Sequence, residues 1–142
     1  MKPQGRFGAA VWGTADENSA WSPIVSIFND FLPPRPEGTP SLFECGTPKL
    51  MEDELHSIGF RDYQELRHDV MFQHADLDVA WKAWQSTGPF AAAYAQWDSK
   101  TRKKVKNQVR KAHTKFKTSR GTIEVPGRAL LFRGKRNLVL EV

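Results

Sequence analysis

Lys2-Pro3-Gln4-Gly5-Arg6-Phe7-Gly8-Ala9-Ala10-Val11-Trp12 is the stretch whose reading decides the fold. Pro3 fixes φ and Gly5 admits the positive φ of a tight reversal, so the opening residues read as a turn. Phe7 to Trp12 then runs apolar or small without alternation. That pattern suits a strand buried on both faces, as in a parallel sheet. A short buried helix is the competing reading, and the brief interval between Gly5 and Gly13 favours the strand.

Outward from this strand, Thr14, Asp16, Asn18 and Ser19 are turn formers around Trp21, so residues 13–22 form a loop. Ser22-Pro23 predicts an N-cap followed by Pro at the first helical position. Ile24, Ile27, Phe28 and Phe31 follow at helical spacing, and Pro33-Pro34 stops the helix. Residues 33–41 are too rich in Pro and Gly for regular structure. Thr47-Pro48 repeats the cap-and-proline start, with Met51, Leu55 and Ile58 as the apolar stripe and Glu52, Asp53 and Glu54 in the early turns. Gly59 supplies a left-handed helix ending onto which Phe60 folds back. From Tyr63 the period becomes two, with Leu66, His68, Val70 and Phe72 on one face and Glu65, Arg67, Asp69 and Met71 on the other.

Three helices are expected next. Leu77, Ala80, Trp81 and Trp84 form a stripe begun by Asp76 or the turn before it. Phe90, Tyr94 and Trp97 continue after Thr87-Gly88-Pro89. Val105, Val109, Ala112 and Phe116 line a third helix capped by Asp98 or Ser99 and ended by Arg120-Gly121. Thr122 to Val125 is extended, Pro126-Gly127 turns, and Ala129 to Arg133 is a short strand. Gly134 to Asn137 offers a hairpin into the apolar tail Asn137 to Val142.

The Lys-Pro-Gln-Gly-Arg turn and the strand ending Val11-Trp12-Gly13 resemble the fifth-strand region of class I S-adenosylmethionine-dependent methyltransferases. A Lys-Pro-Gly-Gly-Arg turn is usual there, and Gln4 replaces its first glycine. The helix, Gly59-Phe60 and strand that follow resemble the passage into that family's sixth strand. The resemblance covers roughly residues 1–136 and implies an α/β, partial Rossmann-like sheet. Its strands would be the fifth, sixth and seventh, with the seventh antiparallel between the other two. It implies one domain over residues 1–142 with a helical insertion at 76–120 over the methyl acceptor. It also implies S-adenosylmethionine as cofactor, a small-molecule acceptor, and an acceptor pocket lined by Trp12, Trp21 and Phe28. Core packing is the competing reading of those three aromatics.

A family member would have about half its fold before the first strand. The expectation is therefore a C-terminal half, truncated or split, and inactive alone. It would pair with a separate N-terminal half or form a homo-oligomer through an unguarded strand edge. No Gly-x-Gly-x-x-Gly cradle occurs in these residues, so no residue is assigned to cofactor binding. Methyl transfer of this kind mostly holds donor and acceptor in line. The weak catalytic candidate is His68, which as a base would deprotonate an acceptor hydroxyl. It reads equally as a core or pocket histidine.

Other chemistry is thin. His56, His68, His74 and His113 are scattered without metal-ligand spacing, and no metal site is expected. Cys45, the single cysteine, excludes an intrachain disulfide and fits a cytoplasmic setting. No apolar run approaches the length of a membrane span. The net charge of +5 is local: ten of 21 basic residues lie between Lys100 and Arg120, with no acid among them. The rest of the chain carries 11 basic against 16 acidic residues. The alternative function is thus a noncatalytic polyanion- or partner-binding module using Lys103, Lys104, Arg110 and Lys111. A solvated helix face explains the same charges. Stacking aromatics are absent from the run apart from Phe116, so the affinity expected is nonspecific.

Overall fold

The computed structural model describes residues 5–136, apart from the side chain of Pro89. The expected Phe7–Trp12 strand is present as β1, Arg6–Trp12. It is not buried on both faces: exposed and half-buried residues alternate along it until Trp12. The cause is its setting. Among the described residues β1 is the outer strand of a three-stranded sheet of order β1-β3-β2, with β2 at Phe60–His74 and β3 at Ile123–Arg136, and it pairs antiparallel with β3, from Arg6 opposite Lys135 to Trp12 opposite Ala129. The last strand therefore lies between the first and the second. The protein is mixed α/β with a small antiparallel sheet.

β2, Phe60–His74, is longer than its pattern implied, and its burial changes phase. Tyr63 and Arg67 are half-buried, then Val70, Phe72 and His74. The apolar face predicted for Leu66, His68, Val70 and Phe72 is thus divided: Leu66 is 60% exposed and His68 is exposed. The reason lies at Arg67, whose guanidinium bonds to Glu17 Oε2 (2.5 Å) and to the Gly46 carbonyl (3.2 Å), drawing the odd-numbered side inward.

β3, Ile123–Arg136, is continuous, so Pro126-Gly127 makes no turn and Gly134 to Arg136 are strand. Proline is tolerated because the ladder with β1 ends at Ala129, leaving Pro126 beyond it, where no bond to β1 is lost. Asn137 to Val142, the expected apolar tail, lies outside the described residues.

The described residues divide into two units. The first comprises 5–18, 38–70 and 128–136. Its core is Leu55, Phe60, Leu130 and Phe132, with Phe7, Ala9, Val11, Met51 and Tyr63 packed against it. Helix α2, Leu50–Ser57, supplies Leu55. It starts from Lys49 in a left-handed conformation and not from the Thr47-Pro48 cap predicted. Ile58 falls just past its end and is 62% exposed, off the expected stripe. Gly59 has φ +90 and Phe60 is buried, as the Gly-Phe ending required.

The second unit comprises 19–37 and 71–127. It holds α1 (Ser22–Asn29), α3 (Leu77–Gln85), α4 (Gly88–Gln96) and α5 (Ser99–Thr114). The expected insertion at 76–120 falls wholly within it. Two caps are those the sequence predicts. Asp76 accepts from the Asp78 and Val79 N–H groups, and Asp98 accepts from Thr101 N–H at 2.6 Å. Those bonds, the Val79 and Thr101 donors foremost, hold both carboxyls below their usual range. Ser22 caps nothing: it is the first residue of α1, and Trp21 occupies the cap position. The basic helix stops at Thr114, so Lys115, Lys117 and Arg120 lie beyond it.

Candidate functional site

In the first unit, the loop after β1 is held by Asn18, which is fully buried. Its Nδ2 donates to the carbonyls of Thr14 (3.0 Å) and Arg128 (3.1 Å), and its Oδ1 accepts from Arg128 N–H at 2.8 Å. Gly13 N–H donates to the same Arg128 carbonyl at 2.8 Å. Glu17 accepts from Thr14 N–H and from Arg67, while Arg128 pairs with Asp69 at 2.7 Å. The short 3₁₀ turn Glu44–Gly46 closes against this loop. A Cβ on Gly46 would lie 2.4 Å from Gly13 C and 2.5 Å from Trp12 O, so only glycine fits there. The sequence pattern marks Asn18 as a turn former. Its partner lies 110 residues away, and no local pattern announces it.

The second unit is built around Phe28, which is 0% exposed. Phe90 stacks on it at 4.2 Å between centroids, and Trp81, Trp84 and Trp97 surround it at 6.0 to 6.2 Å. Trp21 is 3% exposed and lies 5.9 Å from both Trp84 and Phe72. Two of the three predicted acceptor aromatics are therefore packed on protein, and a ligand would have to open this cluster to reach them. Trp12 belongs to the first unit and is half-buried. His68 is exposed on β2.

Of the four scattered histidines His113 is the buried one, 1% exposed on the inner face of α5 with Val105 and Val109. Its Nε2 accepts from the Trp84 indole N–H at 3.1 Å, which leaves Nδ1 to donate to the Val109 carbonyl at 2.9 Å. That pairing selects the neutral ring. Burial pushes its pKa below the ordinary 6.5, and His74, 6.5 Å away between ring centroids, is pushed down by burial as well. The i+4 spacing from Val109 was the available signal, masked by the cations around it.

Of the four predicted polyanion residues, two are engaged. Arg110 pairs with Asp78, which Lys106 also approaches at 3.6 Å, and Lys104 Nζ lies 5.3 Å over the Phe31 ring. Lys103 and Lys111 are exposed and have no acidic partner among the described residues.

Three clefts lie within single units. One of about 390 Å³ is lined by Phe7, Leu55, Ile58, Phe60 and Arg136, and one of about 360 Å³ by Gln73, His74, Ala75, Arg120, Thr122 and Glu124. The third, about 240 Å³, is lined by Arg6, Asp62, Gln64, Arg133, Gly134 and Lys135. None of these three includes Trp12, Trp21, Phe28 or His68. Among the described residues no group of three or more His, Cys, Asp or Glu is placed to hold a metal ion. No helix there is long and apolar enough to cross a membrane. Compared with models of known protein families and with curated proteins, the chain matches none.

Proposed function

We propose that the chain is the acceptor-side half of a class I methyltransferase-like fold, acting on a small molecule with S-adenosylmethionine held by strands outside these 142 residues. The observation that carries the reading is the strand order: β3 antiparallel to β1 and placed between it and β2, with β1 outermost. The loop after β1 is not a donor cradle. Gly13 N–H is already given to Arg128, and Asn18 fills the space beneath. On this reading residues 5–136 belong to the acceptor side, and no step through the cofactor is assigned to them. The outer edge of β1, without a further strand among the described residues, would pair with a separate N-terminal half or with a second copy, since an open edge is a template for association.

Titration calorimetry tests this directly. The chain alone is expected to give no binding heat with S-adenosylmethionine. The same chain produced together with a Gly-rich strand-turn-helix segment encoded immediately upstream is expected to bind. Micromolar binding by the chain alone, or no binding by the joined protein, would overturn the proposal.

A second reading, a polyanion-binding module, is supported by the exposed, acid-free Lys103 and Lys111 on α5. It calls on nonspecific attraction and not on base recognition.

A further inference from the structure

We propose that the sheet face of the first unit left open by the described residues is a docking surface for an amphipathic helix with an acidic last turn, carried by a partner protein. This stands independently of the methyltransferase reading. Side chains alternate across a strand, and here the alternation separates two unlike faces. Phe7, Ala9 and Val11 pack on the Leu55, Phe60, Leu130 and Phe132 core, whereas Gly8 and Ala10 between them are exposed. On β3 Leu131 is 37% exposed, and on β2 Leu66 is 60% exposed. Small residues on the outer strand and leucines on the other two leave a low apolar floor.

Its width suits one helix. Two strand spacings come to about 10 Å, close to the diameter of a helix with its side chains. One end of the floor is cationic. Arg6 and Lys135 stand directly opposite each other in the ladder, and Arg133, opposite Gly8, is the next residue on that face. Like charges so placed repel. Asp62 is the single acid lining the 240 Å³ groove they share, and Arg133 is bonded to the neutral Gln64 at 2.5 and 3.0 Å. Neither Arg6 nor Lys135 has an ion-pair partner among the described residues. An anionic helix end offsets this repulsion, because the negative pole of the helix adds to its acidic side chains. The face thus has an apolar stretch at Gly8, Ala10, Leu131 and Leu66, with the exposed His68 two residues past Leu66, and is basic at the end that holds Arg6, Arg133 and Lys135, the complement of such a helix.

The test uses two fluorescein-labelled peptides of about 20 residues, long enough to form helix on a surface. Both carry Leu at i, i+3, i+4 and i+7; one ends in Glu residues and the other in Lys residues. Fluorescence anisotropy is expected to show the Glu peptide binding at least about tenfold more tightly. Arg6→Glu with Lys135→Glu is expected to invert that preference, and Leu66→Glu with Leu131→Glu to weaken both peptides at least about tenfold. All four positions carry surface-accessible side chains. If the leucine pair fails to fold, the charge inversion still decides. Equal binding of the two peptides, no binding of either, or a preference unmoved by the charge reversal overturns the proposal. A dimer abolished by the leucine substitutions, without peptide binding, assigns the face to a second copy and overturns it too.

Discussion

The two units differ in how fully each closes on itself. The second has four helices around a ring cluster, with Phe28 at 0% exposure and its inward polar groups, Trp84, Trp97 and His113, all bonded. The first has a sheet covered on one face, an outer strand without a further neighbour among the described residues, and leucines left in solvent. Its loop after β1 relies on a buried polar hub in place of apolar bulk. Ring packing thus holds the centre of the second unit, whereas in the first an apolar core under the sheet is joined by a hydrogen-bonded loop. The surfaces left for partners belong mainly to the first.

The hardest test of that contrast is Phe28→Ala, which removes the ring that four others contact. A loss of about 3–5 kcal/mol is expected in denaturant unfolding. A loss near 1 kcal/mol would show that the cluster relaxes around the hole. Asn18→Ala probes the polar hub: it removes a fully buried side chain and leaves the part-buried Arg128 N–H without its acceptor, and about 2 kcal/mol should be lost. If the Asn18 change leaves the urea midpoint where it was, the hub holds nothing together.

A pH series sharpens the comparison further. His113 has its folded pKa lowered by burial, so the neutral ring is the folded form. The stability it contributes is full above its ordinary value near 6.5 and is lost as pH falls below that toward the folded pKa. Each such group costs at most about 1.4 kcal/mol per pH unit in that window. His74 shifts in the same direction, and His74→Gln should remove only part of the slope. A urea midpoint flat between about pH 7.5 and 5.5 would contradict this.

The smallest effect expected is on α5. Lys103→Gln with Lys111→Gln should flatten the salt dependence of DNA or heparin retention by roughly two units of log–log slope, about 0.9 for each lost contact. Arg110→Gln should instead lower stability through Asp78, by less than about 1 kcal/mol. Retention unchanged in the lysine variant leaves a solvated face as the whole account.

What the sequence made legible was local. The caps at Asp76 and Asp98, the Gly59-Phe60 ending, and the existence of β1 and β2 all rest on residues within one turn or strand of each other. What escaped it depends on distant partners. Pro126 costs β3 no bond to β1, because that ladder ends at Ala129, a fact set by the register with residues 6–12. The phase change in β2 follows from Arg67 reaching Glu17, and the burial of Asn18 from Arg128. His68 looked like a pocket residue because alternation identifies a face but not which face is covered. Trp21 and Phe28 carry the same composition whether they line a pocket or fill a core.

The contact of Gly46 with Gly13 also shapes what this chain can become. Backbone meets backbone there, so no repacking of side chains makes room for a methyl group. Gly8, whose added Cβ would meet only the Phe132 carbonyl at 3.6 Å, is by contrast open to drift. Over an evolutionary lineage the strand can change its surface while its far end stays fixed, and any descendant that loses Gly46 must first have rebuilt the loop that follows β1.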